Sequence, residues 1–259
     1  MIKYLYIFLS LCFVFSFGYR LLNKQKKKII IGYALNNEYA NYLYTSLVSL
    51  FENSDRNTIY QISIQIGRGF SQNNKDLILS LEKYYFNCFI QFIQMNDGEF
   101  GGAIIGYLDI SVYYRLKLPI LLGNINRIIY IDSDTLIFKD LTELYTLNFY
   151  EKYILGRLDM ITDELDKLGT FTKTYINDGI ILMDLYNLRK YNYYQKFIDY
   201  IKKNKNVNYL NHHDQTCINY VCHKKIGILR LKYHMWPFLN EEEVKQFNNI
   251  LRIPYNENE

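Results

Sequence analysis

Four short runs constrain the fold more than anything else in the chain. IIIGYAL (29–35), YQISIQIG (60–67), CFIQFIQM (88–95) and RIIYI (127–131) are rich in β-branched and aromatic residues and have the length of strands. Between them lie EYANYLYTSLVSLF (38–51), NKDLILSLEKYYF (74–86) and DISVYYRLKLPILL (109–122), with apolar residues at helical spacing, the last broken near Pro119. GGAIIG (101–106) reads as a loop. Parallel strands need long crossovers, and helices satisfy that need. Three strand–helix alternations therefore predict an α/β fold, with a mostly parallel central sheet and helices on both faces. In such sheets ligands bind beyond the carboxyl ends of the strands.

The second half continues with strand-like YILGR (153–157), YINDGIILMDL (175–185) and GILRLKY (227–233). LRKYNYYQKFIDYIKK (188–203) and HDQTCINYVC (213–222) read as helices. No repeat or linker divides this body. With 259 residues, 49% of them hydrophobic, the chain can build one core, so residues 29–259 are expected to form a single domain. A net charge of +4 is mild and gives no indication of a nucleic-acid partner.

Much of the positive surplus sits in KQKKK (24–28), just after YLYIFLSLCFVFSFGY (4–19), which carries no charge. With Ile2, Leu21 and Leu22 at its flanks, this run approaches the roughly 20 residues of a spanning helix. No small-x-small cleavage site follows it, which favours an N-terminal hydrophobic helix acting as a membrane anchor over a signal peptide. Residues 1–28 are thus expected to be an anchor and a basic flank. Arg20 and the lysines after the run place the body on the cytoplasmic face by the positive-inside rule, with the lysines close to anionic headgroups. A cleaved signal or a type II anchor would instead put it in a lumen or outside the cell.

Cys12, Cys88, Cys217 and Cys222 form no disulfide framework. His212, His213, Cys217, Cys222 and His223 cluster in sequence, but their spacing matches no zinc pattern, and small cysteines on a buried helix are the plainer reading.

The chemistry points to RIIYIDSDTLIFKDL (127–141). Asp132 and Asp134 follow a strand-like run, and residues i and i+2 of a strand share a side. Two hard oxygen donors suit Mg²⁺ or Mn²⁺, cations that also bridge to phosphates. An Asp-x-Asp alone is common by chance; its position between RIIYI and TLIFKDL carries the information.

RIIYIDSDTLIFKDLTELY resembles the signature of family-8 glycosyltransferases, the group of glycogenins and bacterial lipopolysaccharide hexosyltransferases. YALNNEYANYLYTSLVSLFENS (33–54), SVYYRLKLPILL (111–122), YINDGIILMDL, HHDQTCIN (212–219) and LRLKYHMW (229–236) resemble further family segments in the family's order. The resemblance implies a GT-A fold and a retaining glycosyltransferase that moves a hexose from a UDP-sugar to a glycan, lipid-linked or protein acceptor, with Mn²⁺ (or Mg²⁺) as cofactor. It implies that Ala34, Asn36 and Tyr39 hold the uracil, Tyr39 by stacking, and that Arg115 and Ser133 lie at the donor. Asp132 and Asp134 would bind the metal; Asn177, Asp214 and Gln215 would contact the transferred sugar, with Asp214 or Gln215 beside its anomeric carbon.

This sequence departs from the family in several places. Asn36 stands where an Asp is usual, Glu38 where Asn is frequent, and Asp178 where a small residue is usual. A His-x-x-Gly-x-x-Lys-Pro-Trp segment, which would bring a third metal ligand and a diphosphate-binding lysine, does not occur, and His234 occupies an earlier position where the family has Asn. A catalytically impaired nucleotide-sugar- or partner-binding membrane protein is therefore the alternative. A haloacid-dehalogenase-like phosphatase is disfavoured, because Leu136 stands where that motif has Thr and three strands come first. Plainer roles compete at single residues: core packing for Tyr39, a helix-neighbour pair for Arg115, a turn cap for Asp140, a structural strand end for Asp184 and a solvated helix start for Glu241, Glu242 and Glu243.

Overall fold

The computed structural model describes residues 26–101, 109–159, 175–204 and 213–235. The apolar run 4–19, most of GGAIIG and Glu241 to Glu243 lie outside them. No helix among the described residues is long and apolar enough to cross a membrane.

In chain order the elements are β1 (Lys27–Leu35), α1 (Ala40–Glu52), β2 (Thr58–Ile66), α2 (Gln72–Leu79), β3 (Cys88–Gln94), α3 (Leu118–Leu121), β4 (Arg127–Ile131), α4 (Thr142–Tyr145), β5 (Ile154–Leu158), β6 (Ile176–Asp184), α5 (Leu185–Lys190), α6 (Tyr193–Asn204), α7 (His213–Cys222) and β7 (Ile226–Leu229). The strands form a seven-stranded sheet in the order β3-β2-β1-β4-β6-β5-β7. Only β6 runs against its neighbours, pairing antiparallel with both β4 and β5. The expected mostly parallel sheet is present.

The sheet is covered on both faces, so β1 is nearly continuous in burial rather than alternating. Its side chains still divide by pleat. Ile29, Ile31, Tyr33 and Leu35 join the layer with Leu43, Leu47 and Leu50 of α1. Ile30 joins the opposite layer, with Leu116, Phe197 and Ile218.

Four local expectations are corrected. Residues 110–117 form a 3₁₀ helix, and Pro119 sits in the first turn of α3, where its missing N–H is not needed, so it opens a turn rather than breaking one. The helix expected over 188–203 is two, α5 and α6, with Asn192 between them at a positive φ of 52°. The helix expected over 74–86 is α2 followed by a 3₁₀ turn, Ser80–Lys83. GILRLKY is strand only to Leu229, after which Leu231–Tyr233 turns as 3₁₀.

Asp140 and Asp184 take the structural roles. Asp140 accepts from the Thr142 and Asp55 amides and from the Tyr60 hydroxyl. Asp184 caps α5 through the Asn187 amide.

Candidate functional site

The carboxyl ends of β1 and β4 lie side by side, and the functional candidates gather there. Asp132 and Asp134 are not on a strand: β4 ends at Ile131 and the chain turns, with the Thr135 amide donating to the Asp132 carbonyl at 3.2 Å. Asp132 turns inward, whereas Asp134 is exposed. Ser133 is buried between them.

Arg115, only 4% exposed, is the hub. Its guanidinium reaches Asp132 Oδ1 at 2.9 Å, Asp178 Oδ2 at 3.1 Å and Asp214 Oδ2 at 3.1 Å. It also donates to the Val112 and Asp178 carbonyls and lies 4.2 Å over the Tyr130 ring. One buried cation thus gathers three carboxylates, from the turn after β4, from β6 and from α7. Each of its three nitrogens donates one hydrogen bond within the protein, so Arg115 orients the carboxylates. Three negative charges around one positive charge favour protonation. Burial lifts the Asp132 carboxyl to about 6 against the pull of Arg115, and burial also lifts Asp178 well above the usual carboxylate range.

Asn177 and Gln215 meet at Asp159, which the sequence reading did not single out. Asp159 Oδ2 accepts from Gln215 Nε2 at 3.0 Å and from Asn177 Nδ2 at 3.4 Å. Gln215 Oε1 accepts from the Asp178 amide, and Asn177 Oδ1 from the Gly179 amide. The β5–β6 register shift between Gly156 and Arg157 lies next to this cluster, where a bulge re-aims side chains. The available signal was position alone: Asp159 follows β5 as Asp132 follows β4.

Gly179 explains the tightness here. A Cβ on it would lie 3.0 Å from Asp132 Oδ2, 3.1 Å from Asn177 Oδ1 and 3.6 Å from His234 Cε1. The bare glycine leaves a cradle beside Asp132 whose far wall is His234, a residue the sequence reading set aside. Burial, with Arg157 nearby, pushes His234 down to about 3, so it is neutral, and its Nδ1 has no hydrogen-bond partner among the described residues.

At the rim, Asn36 Oδ1 accepts from the Glu38 and Tyr39 amides and caps the 3₁₀ turn after β1. Tyr39 is 42% exposed and pairs with Tyr42 at 5.5 Å, so it is not core. Burial and the nearby Asp134 and Asp132 raise its hydroxyl pKa, which puts the ring within electrostatic reach of both aspartates. Ala34 is half-buried at the end of β1. A cleft of about 250 Å³ opens beside Asn36, walled by Glu38, Arg68, Asp97, Asp109 and Tyr114.

The donor set fits a divalent cation in kind: two carboxylates, one exposed, with open space beside Asp132. No three His, Cys, Asp or Glu side chains converge as a metal cage among the described residues, so Asp132 and Asp134 would share the ion with groups of a ligand. On α7, Cys217 and Cys222 are buried free thiols.

Residues 30–255 match the model of Glycosyl transferase family 8. The chain belongs to this family. A Haemophilus influenzae protein provisionally named as a glycosyltransferase is 27% identical over 230 residues, covering 86% of this chain and 67% of its own length. General stress protein A of Bacillus subtilis is 29% identical over 189 residues, 71% of this chain and 65% of that protein. Among solved structures, the galactosyltransferase LgtC in complex with donor and acceptor sugar analogues superposes with a TM-score of 0.71 at 20% identity, covering 85% of this chain and 83% of that one. That likeness shows the fold, which is GT-A-like. The family excludes the phosphatase reading.

Proposed function

We propose that this family member is a retaining hexosyltransferase that takes its sugar from a UDP-sugar and passes it to a glycan, lipid-linked or protein acceptor, with Mn²⁺ (or Mg²⁺) at Asp132 and Asp134. The observation that carries the reading is the Arg115 hub, which holds Asp132, Asp178 and Asp214 together at the carboxyl ends of the strands. The LgtC complex with donor and acceptor sugar analogues supports a sugar donor and acceptor by analogy.

The residues divide the work. Tyr39 offers an exposed ring for a base, and Asn36, whose oxygen is used by the turn, has its amide nitrogen left to donate. A bound divalent cation supplies positive charge against the diphosphate as it leaves. Arg115 holds Asp132 at a fixed angle for that purpose and sets Asp214 at the sugar. Gln215 and Asn177, tied to Asp159, bring fixed amide dipoles to the same place. Such preorganised groups stabilise the positive charge that develops on the sugar ring.

The test is UDP release from a panel of UDP-sugars, with and without Mn²⁺, for the wild type and Asp134→Asn. Mn²⁺-dependent release from one sugar, lost in the variant, is the expected result. UDP binding that ignores Mn²⁺, with no release from any sugar, would overturn it in favour of the non-catalytic binding protein.

A further inference from the structure

The end of the sheet opposite the site has a different character. There Lys190 Nζ lies 6.0 Å from the Tyr186 ring centroid and 5.4 Å from that of Tyr191. Tyr191 stacks on Tyr153 at 5.7 Å with the rings 6° apart, and Lys225 sits 5.0 Å over Tyr153. Lys225 donates to the Glu151 carbonyl and Lys152 to the Lys224 carbonyl, so the patch runs unbroken across the ends of β6, β5 and β7. It faces water: Tyr186 is 52% exposed, Tyr191 46% and Tyr150 86%. Its carboxylates are Glu151 and Asp184, and Asp184 is committed to capping α5. Towards the other edge, exposed Asp55, Arg56 and Phe86 precede β2 and β3, so the surplus of cations lies at the β5–β7 side.

Cations interleaved with exposed tyrosines match the headgroup layer of an anionic bilayer. Tyrosine there has an apolar body and a polar tip, and lysines close to an anionic surface are attracted to it. A nucleic acid would also accept such a patch. The chain's own layout favours the bilayer. β1 starts at this same end with exposed Lys26, Lys27 and Lys28, preceded in sequence by the uncharged run 4–19. Only β4 separates β1 from β6, which at strand spacing is about 10 Å.

We propose that the amino end of the sheet is a docking surface for an anionic bilayer, which turns the carboxyl-end site away from the membrane. β1 has nine residues, so the site stands roughly 30 Å above the headgroups. Resting on the transfer reading, this geometry selects acceptors that extend from the surface over sugars attached directly at it.

The test is hydrogen–deuterium exchange of the full chain in lipid nanodiscs, comparing phosphatidylcholine alone with discs containing about a third phosphatidylglycerol. Amides of 148–153 and 186–192 are expected to exchange several-fold more slowly in the anionic discs, with the effect lost at about 0.5 M salt, while 96–101 and 132–136 stay unchanged. The triple variant Lys152→Glu, Lys190→Glu, Lys225→Glu should lose this protection while remaining in the disc. Equal exchange in both lipids, protection at 96–101 instead, or protection given by RNA and not by lipid would each overturn the proposal. None of these readouts uses UDP, so failure of the transfer reading would be seen separately.

Discussion

Replacing Arg115 by Met tests the hub directly. The wild-type guanidinium makes three ion pairs and donates to two carbonyls, almost wholly out of water. Methionine fills much of the volume but leaves Asp132, Asp178 and Asp214 facing one another. Removing one side of a buried ion pair costs about 3–5 kcal/mol, and here three partners are left at once. The carboxylates respond by binding protons, which limits the loss and makes it depend on pH. The folded pKa values of Asp132 and Asp178 rise further above the unfolded ones, so the folded variant holds more protons than the unfolded chain. Its stability therefore falls as pH rises, by about 1.4 kcal/mol per pH unit for each extra proton held. Wild type and variant should differ least near pH 5 and by roughly 3 kcal/mol more near pH 7. Urea unfolding with EDTA present, at both pH values, measures this. Arg115→Lys keeps the charge but not the fork and should fall between the two. A difference below about 1 kcal/mol that does not change with pH would refute the hub as the organiser of these acids.

Other consequences are smaller in scope. Because Asn36 has its amide nitrogen left to donate, it can grip a carbonyl or ring nitrogen but cannot accept from the uracil imide N–H. Calorimetry should show wild type separating UDP from CDP weakly, and Asn36→Asp should shift the ratio towards UDP about tenfold or more. Asp132, held up to about 6, keeps a proton below that value, so Mn²⁺ affinity should decline as pH falls beneath it, as electron spin resonance of free Mn²⁺ would show. Gly179→Ala puts a methyl 3.0 Å from Asp132 Oδ2 and should cost about 1–3 kcal/mol and weaken Mn²⁺ binding, both measurable by thermal melts with and without the metal.

The sequence alone determined the strand–helix alternation and the position of Asp132 past β4. Both follow from local burial patterns, which repeat along the chain and need no long-range information. It also located Asn36, Tyr39, Arg115, Asn177, Asp214 and Gln215, through ordered segments that resemble one family. Only the tertiary structure decided what these residues do. That Arg115 binds acids from three elements, that β6 runs antiparallel and carries Asp178 and Gly179 to Asp132, and that Asp159 ties Gln215 to Asn177 depend on pairings between residues far apart in the chain. The same holds for the tyrosine–lysine patch, whose members come from the end of α5 and from the segments just before β5 and β7. No periodicity records such contacts, because packing rather than sequence spacing brings those side chains together.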